Sequence, residues 1–406
     1  MNLSYFIAKR ISSNQTGTFS STIHRIAVVT IAVGLGAAIV SFLVMLGFQQ
    51  NVKDKIYSFS SHLLITKFTM NNSIEEQPFF YNIDLFKHPE QFPFIEHVQE
   101  YSQKPGLLKT DDEVLGVVFK GVGKSFNLAR FQDNMVEGKF IQFPDSSYSR
   151  EVVLSRIISD KIQARVGDDI VIHFFQNPPR FRRLTVSGIY ETNLADNYDN
   201  KVIIGDIRMV QRLNDWADSV AGGLQVYIKD ANRAEEALVA IGESMDYDLY
   251  IEKTSDTYVQ VFEWLGLINR QVLILLAIIL IVVCVNMISV VLILVMERTQ
   301  MIGMLKALGA ADRLIRSVFV YSGVNLVLKG LLWGNLLGLG ICFIQHTFQI
   351  AKLNPRDYYI SYVPVAWNWE VVLLLNLAVF AVVTVVLLLP TAIVSRIHPM
   401  KAIRFD

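Results

Sequence analysis

The chain has little charge and almost no cysteine. Charged residues make up 18% of its 406 residues and hydrophobic residues 52%, whereas about 25% charged residues are usual in soluble domains. The 37 basic and 37 acidic residues balance, so no excess positive charge is available to attract nucleic acid. The two cysteines, Cys284 and Cys342, lie in long apolar runs and offer no disulfide framework. The composition argues against a water-soluble enzyme and a nucleic-acid-binding protein, and it favours a membrane protein.

Four apolar runs are long enough to cross a bilayer, which takes about 20 residues of helix. They predict transmembrane helices over residues 26–48, 266–295, 314–346 and 370–394. A secretory signal peptide is the alternative for the first run, but that run is longer than a typical signal core, and Met45–Phe48 is a poor cleavage site. Lys329 lies inside the third run, where it would either extend toward an interface or face a protein partner.

The basic residues predict the orientation of these helices, because positive charge concentrates on the cytoplasmic side. They cluster before the first run, between the second and third, and after the fourth: Lys9, Arg10 and Arg25; Arg298, Lys306, Arg313 and Arg316; Arg396, Lys401 and Arg404. Both termini are therefore predicted to be cytoplasmic. The remaining segments are predicted as follows: an amphipathic cytoplasmic segment at 1–25, an extracytoplasmic domain at 49–265, a cytoplasmic segment at 296–313, a periplasmic loop at 347–369 and a cytoplasmic tail at 395–406.

Residues 49–265 mix short strand and helix patterns, which predicts an α+β domain. Glu151–Leu154 has the pattern of a strand, and Ser155 is placed to cap the helix that follows. Ile170, Ile172 and Phe174 alternate as in a half-buried strand, and the uneven, polar stretch 75–93 predicts a long surface loop. The predicted fold class is an α-helical membrane protein with four transmembrane helices and a large α+β extracytoplasmic domain inserted between the first two.

No catalytic or metal-binding motif is visible. The seven histidines form no H-E-x-x-H pair, and no G-x-S-x-G elbow occurs. Gly123-Lys124-Ser125 ends like a phosphate-binding loop, but Val118 stands where the first glycine is needed, so a turn is the simpler interpretation. Asp111-Asp112-Glu113 could bind a cation, although such a run at a loop tip is more often only solvated. The sequence therefore predicts a non-catalytic chain with no metal site and no bound cofactor of its own.

The most informative pattern lies in residues 296–310, M-E-R-T-Q-M-I-G-M-L-K-A-L-G-A. Its apolar residues recur at helical spacing: Met301, Ile302, Leu305 and Leu308. Gly309 is well placed to end a helix. Gly303 costs about 1 kcal/mol inside a helix, which suggests close approach by another surface. These residues alone fit an ordinary helix on the bilayer surface and a partner-binding helix equally well.

This segment resembles the E-R-T-x-x-I-G-x-L-K-A-L-G-A signature of ABC transporter permeases related to FtsX and MacB. The matching residues are Glu297, Arg298, Thr299, Ile302, Gly303, Leu305, Lys306, Ala307, Leu308, Gly309 and Ala310. In that family the segment is a coupling helix that docks on a separate ATPase, and the extracytoplasmic domain is a MacB-like periplasmic core. The resemblance implies that ATP and Mg²⁺ are bound by the partner ATPase and not by this chain.

Within this family the chain most resembles the lipoprotein-releasing permeases LolC and LolE. Phe6–Arg10 resembles their F-I-A-x-R start, Val186–Thr192 their V-x-G-[IT]-[FY] strand, and Pro399–Asp406 the P-x-x-A-[IL]-R-[YF]-[ED] tail that these permeases share broadly. The resemblance implies a multi-pass protein of the bacterial inner membrane, working by mechanotransmission. It also implies three partners: a LolD-like ATPase, a second permease chain in a homodimer or heterodimer, and a lipoprotein substrate.

Two sets of candidate site residues follow from this resemblance. Near the outer end of the first span, the residues expected to line a cavity for acyl chains are Val40, Val44, Met45 and Phe48; contact with lipid or with other helices is the alternative for each. The residues expected to meet a LolA-like periplasmic carrier are Asn177, Pro178, Pro179, Arg180 and Phe181. That loop is shorter than the hook of some Lol permeases, so a plain basic hairpin is an equal alternative.

Two other functions of the family stay open at this point. An exporter like MacB would drive periplasmic substrates outward with the same stroke, and a regulator like FtsX would switch a cell-wall hydrolase without transporting anything. The ATPase domain typical of MacB is absent from these 406 residues. The 49–265 block is larger than the extracytoplasmic domain usual in FtsX relatives. Lipoprotein release is therefore the favoured prediction.

Overall fold

The computed structural model describes residues 19–69, 76–109, 114–145, 147–194, 198–354 and 358–391. These residues form two compact units. The helical unit comprises the described parts of Met1–Gln50, Trp264–Lys352 and Tyr362–Asp406, and the sheet unit comprises those of Asn51–Glu263 and Leu353–Ser361. Four sequence features lie outside the described residues: Phe6–Arg10, Asp111-Asp112-Glu113, the predicted tail 395–406 and most of the predicted segment 1–25.

Four helices are long and apolar enough to cross a membrane, as the sequence predicts. In chain order the α-helices are α1 (Phe19–Ser60), α2 (Asp84–Lys87), α3 (Leu128–Phe131), α4 (Arg156–Ile162), α5 (Ile207–Leu213), α6 (Ala234–Gly242), α7 (Thr254–Thr257), α8 (Val259–Glu297), α9 (Thr299–Ala307), α10 (Asp312–Phe348), α11 (Trp369–Val386) and α12 (Leu388–Thr391). The membrane candidates are α1, α8, α10, and α11 with α12.

Helices α1 and α8 extend past the predicted spans 26–48 and 266–295. Beyond its apolar run, α1 continues to bury one side chain per turn, namely Val52, Ile56 and Phe59. An apolar run marks where a helix can contact lipid and not where the helix ends. Hydropathy alone therefore predicts helices that are too short here.

Helix α10 packs against α1 through three glycines, Gly330, Gly334 and Gly338. They are four residues apart and share one face of the helix. A Cβ atom built on Gly334 would lie 2.9 Å from the Leu35 Cβ, and one on Gly338 would lie 3.0 Å from the carbonyl oxygen of Gly36. The missing side chains therefore allow the two backbones to approach closely.

Two asparagines join α10 to α11 inside the apolar helical unit. Asn335 Nδ2 donates to Asn376 Oδ1 at 2.7 Å, and Asn376 Nδ2 donates to Asn335 Oδ1 at 2.9 Å. Each amide also donates to a carbonyl oxygen four residues earlier, at Leu331 and Val372. An unpaired amide in an apolar environment is unfavourable, so this reciprocal pair stabilises the contact between the two helices.

We expect Asn335→Leu to destabilise the helical unit by about 1–2 kcal/mol, because the amide of Asn376 loses a partner. The double variant Asn335→Leu/Asn376→Leu should regain part of that loss, since it leaves no polar group unpaired. Thermal unfolding of the purified full-length chain in detergent, followed as the loss of monodisperse protein, measures both. Losses that simply add in the double variant would contradict the pairing.

The sheet unit is built on one large mixed sheet. Its strands and those of a smaller sheet are β1 (Leu63–Lys67), β2 (Phe79–Phe80), β3 (Ile95–Lys109), β4 (Val114–Val122), β5 (Met135–Gly138), β6 (Glu151–Ser155), β7 (Asp169–Phe174), β8 (Arg180–Tyr190), β9 (Val202–Asp206), β10 (Val220–Ala221), β11 (Gly223–Ile228) and β12 (Leu249–Lys253). The large sheet has the order β12-β1-β11-β3-β4-β9-β6-β8-β5, and β7 pairs with β3 and β8. Strand pairs β4–β9 and β6–β8 are parallel, and strands β2 and β10 form the smaller sheet.

Local predictions for this unit are mostly confirmed. Ser155 is the last residue of the strand Glu151–Ser155, and its Oγ accepts a hydrogen bond from the Ile158 N–H at 3.0 Å as the N-cap of α4. The inward-facing residues of β7 are buried, as their alternation predicts. The loop prediction for 75–93 is wrong in part, because its described residues form β2, α2 and a short 3₁₀ turn. Phe79 and Leu85 are buried there in an apolar cluster with residues of β11, so the stretch packs on the core.

Candidate functional site

The segment that matches the coupling-helix signature folds as the short helix α9. A break in the helical backbone separates α9 from α8 before it and from α10 after it. Helix α8 ends at Glu297, and Arg298 has non-helical backbone angles. The Thr299 hydroxyl donates to the carbonyl oxygen of Met296 at 2.6 Å, which caps the end of α8. At the other end Gly309 has φ +86°, a conformation that favours glycine after a helix. Helix α9 thus covers less than the predicted segment 296–313, because a break stands at each end.

Three residues of the predicted apolar stripe face the interior of the helical unit, but the fourth, Leu308, does not. Ile302 and Gly303 are buried, and the side chains of Met301 and Leu305 pack against the core of the helical unit. The exposed face contains Met304, Leu308, Gln300 and Ala307 instead. Met304 is 55% exposed and Leu308 is 85% exposed. Met304 and Leu308 are therefore two large apolar side chains that the described part of the chain leaves exposed on one short segment.

Among the polar residues of the signature, one makes a structural ion pair and the others are exposed or half-buried. Lys306 Nζ lies 2.9 Å from Asp312 Oδ1 and so joins α9 to the start of α10. Glu297 is exposed, and Arg298 and Thr299 are half-buried. The candidate coupling residues taken from the family signature included Leu308 but not Met304, which matches neither the signature nor the predicted stripe. The signal was available, since Met304 and Leu308 are four residues apart and share a helix face.

The four residues predicted to line a substrate cavity pack within the helical unit. Met45 and Phe48 are buried, and the Phe48 ring meets the ring of Trp264 edge to face, with centroids 5.5 Å apart. Val40 and Val44 are partly buried against the same core. One chain therefore uses these side chains for its own packing, and a role in a cavity shared with a second chain stays a prediction.

The predicted carrier loop joins β7 to β8, and its arginine already bonds other residues of this chain. Arg180 Nη1 donates to the Leu213 carbonyl at the end of α5 at 3.0 Å, and Arg180 Nη2 donates to Asp215 Oδ2 at 3.0 Å. The guanidinium holds the pKa of the Asp215 carboxyl below its usual value. Phe181 is 63% exposed and Phe175 is also exposed. An apolar contact through these rings is available to a partner, while Asn177, Pro178 and Pro179 form the connecting turn.

Within the part of the chain that the structure describes, no group of three or more His, Cys, Asp or Glu side chains is placed to hold a metal ion. Gly123-Lys124-Ser125 forms a turn after β4, and Lys124 Nζ lies 2.6 Å from Asp145 Oδ1. Both carboxylate oxygens of Asp206 accept backbone N–H bonds, from Arg208 and Ser149, so this buried acid caps α5. These contacts are structural.

Two family models match the chain. The MacB-like periplasmic core domain matches residues 26–243, more than half of the chain, and the FtsX-like permease C-terminal region matches residues 273–399. The two matches cover different parts of the chain. The second includes α9 and the exposed residues Met304 and Leu308.

The chain is similar from end to end to curated relatives. A lipoprotein-releasing system transmembrane protein LolC of Neisseria meningitidis serogroup B is 24% identical, over 96% of this chain and 95% of the relative. A protein of Haemophilus influenzae named LolE in the same system is 22% identical, over 99% of each chain. Among solved structures, the periplasmic region of MacB from Actinobacillus actinomycetemcomitans aligns with a TM-score of 0.36 at 17% identity, over 51% of this chain and 95% of that one.

Proposed function

The chain belongs to the family of FtsX/MacB-type ABC transporter permeases, and from that premise we propose that it is the transmembrane subunit of a complex that releases acylated lipoproteins from the bacterial inner membrane. The observation that carries the proposal is the end-to-end similarity to relatives named as lipoprotein-releasing transmembrane proteins. The similarity spans both the helical unit and the sheet unit, so it is not confined to a single domain.

We place both termini and α9 on the cytoplasmic side and the sheet unit in the periplasm. The clusters of basic residues near the N-terminus, around α9 and near the C-terminus support this orientation. Aromatic residues mark the membrane interface at the other end of the spans, although they occur on both sides of a bilayer and do not indicate its orientation. Trp367 and Trp369 stack with centroids 6.1 Å apart at the start of α11, and tryptophan is enriched where a helix meets the membrane interface.

The energy for release would come from a separate LolD-like ATPase that binds ATP and Mg²⁺. The exposed pair Met304 and Leu308 on and after α9 is the surface that we assign to this contact. A second permease chain, identical or related, would complete a complex with two ATPases. ATP binding would then favour one of two global states of the complex, and the spans would carry the difference to the periplasmic domains.

A lipoprotein substrate explains why such a complex needs ATP. Each methylene of an acyl chain contributes about 0.8 kcal/mol to membrane binding, so extraction of several chains is strongly unfavourable without an energy source. The outer half of α1, including Val40 and Val44, would border the acyl chains between two permeases. A LolA-like carrier would take the released protein, with Phe181 as the apolar contact on the β7–β8 turn.

Depletion of this protein, followed by separation of inner and outer membranes, tests the proposal. We expect mature acylated lipoproteins to accumulate in the inner membrane, because their release stops while their synthesis continues. Expression of the wild-type chain from a plasmid should restore the normal distribution and serves as the control. A lipoprotein census of each membrane by mass spectrometry is the measurement.

A normal lipoprotein distribution after depletion of this chain and of any related permease would contradict the proposal. Two outcomes would then separate the other family functions. Retention of soluble periplasmic substrates would favour an exporter like MacB, and chained, undivided cells with an uncut cell wall would favour a regulator like FtsX.

A further inference from the structure

Helix α1 ends inside the sheet unit, where its last four carbonyl groups are all hydrogen-bonded. An α-helix leaves these four acceptors without partners of its own. In α1 they belong to Tyr57, Ser58, Phe59 and Ser60. The Ser61 N–H donates to the Tyr57 oxygen at 3.1 Å, and Ser61 adopts a left-handed conformation with φ 62°. The other three oxygens receive donors from side chains.

Two of these donors converge on one oxygen. Lys120 Nζ on β4 donates to the carbonyl oxygen of Phe59 at 2.7 Å, and Gln225 Nε2 on β11 donates to the same atom at 3.0 Å. Gln225 is held in turn by Gln99 Nε2 on β3, which donates to Gln225 Oε1 at 2.8 Å. Three adjacent strands of the sheet, β11, β3 and β4, thus hold the last turn of α1.

Two more donors complete the set. The Tyr227 hydroxyl donates to the Ser58 oxygen at 3.4 Å, and Thr254 Oγ1 donates to the Ser60 oxygen at 3.3 Å. We call Lys120, Gln225, Tyr227 and Thr254 the carbonyl clamp; all four side chains are buried. Thr254 lies in α7, directly before α8. The clamp therefore ties the end of α1 to the segment from which the next span starts.

A lysine is an unfavourable choice inside a sheet. Burial lowers the pKa of Lys120 to about 7, because a charged amine is costly away from water. The rings of Tyr101 and Tyr198 lie with their centroids 5.8 Å and 5.7 Å from Nζ, and the negative end of the α1 dipole faces the amine. The donors surround Phe59, whose ring packs on Tyr198 with centroids 4.2 Å apart. Lys120 therefore hydrogen-bonds the end of a helix, in addition to packing in the core.

We infer that the carbonyl clamp makes the last turn of α1 and the sheet one rigid body, so that a displacement of α1 is transmitted to the sheet unit. The inference rests on the proposed function in one respect: lipoprotein release is the use that we assign to the transmitted motion. The covalent link through Ser61 and His62 alone would let the sheet pivot about the end of the helix. Four side-chain hydrogen bonds to three carbonyls oppose that pivoting, because their donors come from β4, β11 and α7.

The test compares Lys120→Met with Lys104→Met in full-length chain copurified with its ATPase and placed in lipid nanodiscs. Lys104 is the matched control, because it is a buried lysine on the neighbouring strand β3 and its Nζ donates to Asn214 Oδ1. Amide hydrogen exchange of residues 58–62 should accelerate about tenfold in Lys120→Met and stay unchanged in Lys104→Met. Thr254→Val and Tyr227→Phe, which each remove one hydroxyl, should accelerate it less.

The transmission itself is measured by the response to ATP and vanadate. In the wild type, exchange in the strands of the sheet unit should change with nucleotide. In Lys120→Met that change should shrink at least about fivefold, while ATP hydrolysis stays within about twofold of the wild type. Unchanged exchange at residues 58–62, or faster exchange there with an undiminished nucleotide response, would overturn the inference.

Lipoprotein release, followed in parallel, separates this inference from the proposed function. A wild-type complex that moves its sheet unit with ATP but releases no lipoprotein would contradict release and leave the clamp supported. A wild-type complex whose sheet unit does not respond to nucleotide would overturn the clamp as a transmitter. If Lys120→Met does not fold, Thr254→Val and Tyr227→Phe carry the comparison, because both preserve the shape of the side chain.

Discussion

Replacing Gly334 by leucine is expected to prevent the folded chain from accumulating in the membrane. Gly334 lies in the middle of the glycine face of α10, where a Cβ atom would come within 3.0 Å of the Leu35 side chain and 3.1 Å of the Ala32 carbonyl oxygen. A leucine has no free volume there, so α10 must move away from α1. Overpacking of this kind costs about 3 kcal/mol at the upper end of its usual range, and the contacts of Gly330 and Gly338 are lost with it.

Gly340→Leu is the matched control for this prediction. Gly340 lies six residues further along the same helix, and a Cβ atom there meets nothing within 4 Å. Both substitutions add the same side chain to the same apolar helix, so they change hydropathy and membrane insertion equally. The amount of monodisperse full-length protein after detergent extraction, with its thermal unfolding midpoint, is the measurement. Equal loss in both variants would show that the contact with α1 does not stabilise the chain.

The sequence predicts the membrane helices well because the bilayer imposes a length. A span needs a long run without charge, and the runs of α8 and α11 satisfy this requirement whatever their neighbours are. The cap at Ser155 is predictable for a similar reason, since its bond to the Ile158 N–H joins residues three apart. These features depend on residues that are near one another in the chain.

The functional surfaces are harder to predict, because they depend on contacts between distant residues. The stripe of Ile302 and Leu305 could face a partner or the chain itself, and only the position of α9 against the core decides for the interior. Lys120 appears in the sequence as one lysine in an apolar strand. Its role depends on Phe59, which is sixty-one residues away, and no local pattern connects them.

Leu308→Asp is expected to separate the chain from its ATPase while leaving its own fold intact. The Leu308 side chain is 85% exposed, so a carboxylate there is solvated in the free chain. In a complex the same carboxylate would be buried in an apolar contact. Loss of one such anchor costs about 2 kcal/mol, which corresponds to roughly thirtyfold weaker binding. Met304→Asp should act in the same direction from the same face of the segment.

Two comparisons make this prediction specific. Val239→Asp adds the same charge at an exposed apolar side chain of α6 in the sheet unit, and it should leave the ATPase bound. Ile302→Asp places the charge in the buried stripe of α9 and should reduce the amount of folded chain itself. The measurement is copurification of the ATPase with tagged full-length chain, together with the yield of that chain.

The outcome decides between the two interpretations that the sequence leaves open for this segment. A helix that lies on the bilayer would place Met304 and Leu308 among lipid headgroups, and the aspartate would then weaken its contact with the membrane but leave the ATPase bound. A helix that docks on the ATPase loses its partner with the same substitution. Met304 and Leu308 are exposed, whereas Ile302 is buried, so part of this segment packs on its own chain and the exposed pair is available. Unchanged copurification with Leu308→Asp and Met304→Asp would assign that available surface to the lipid.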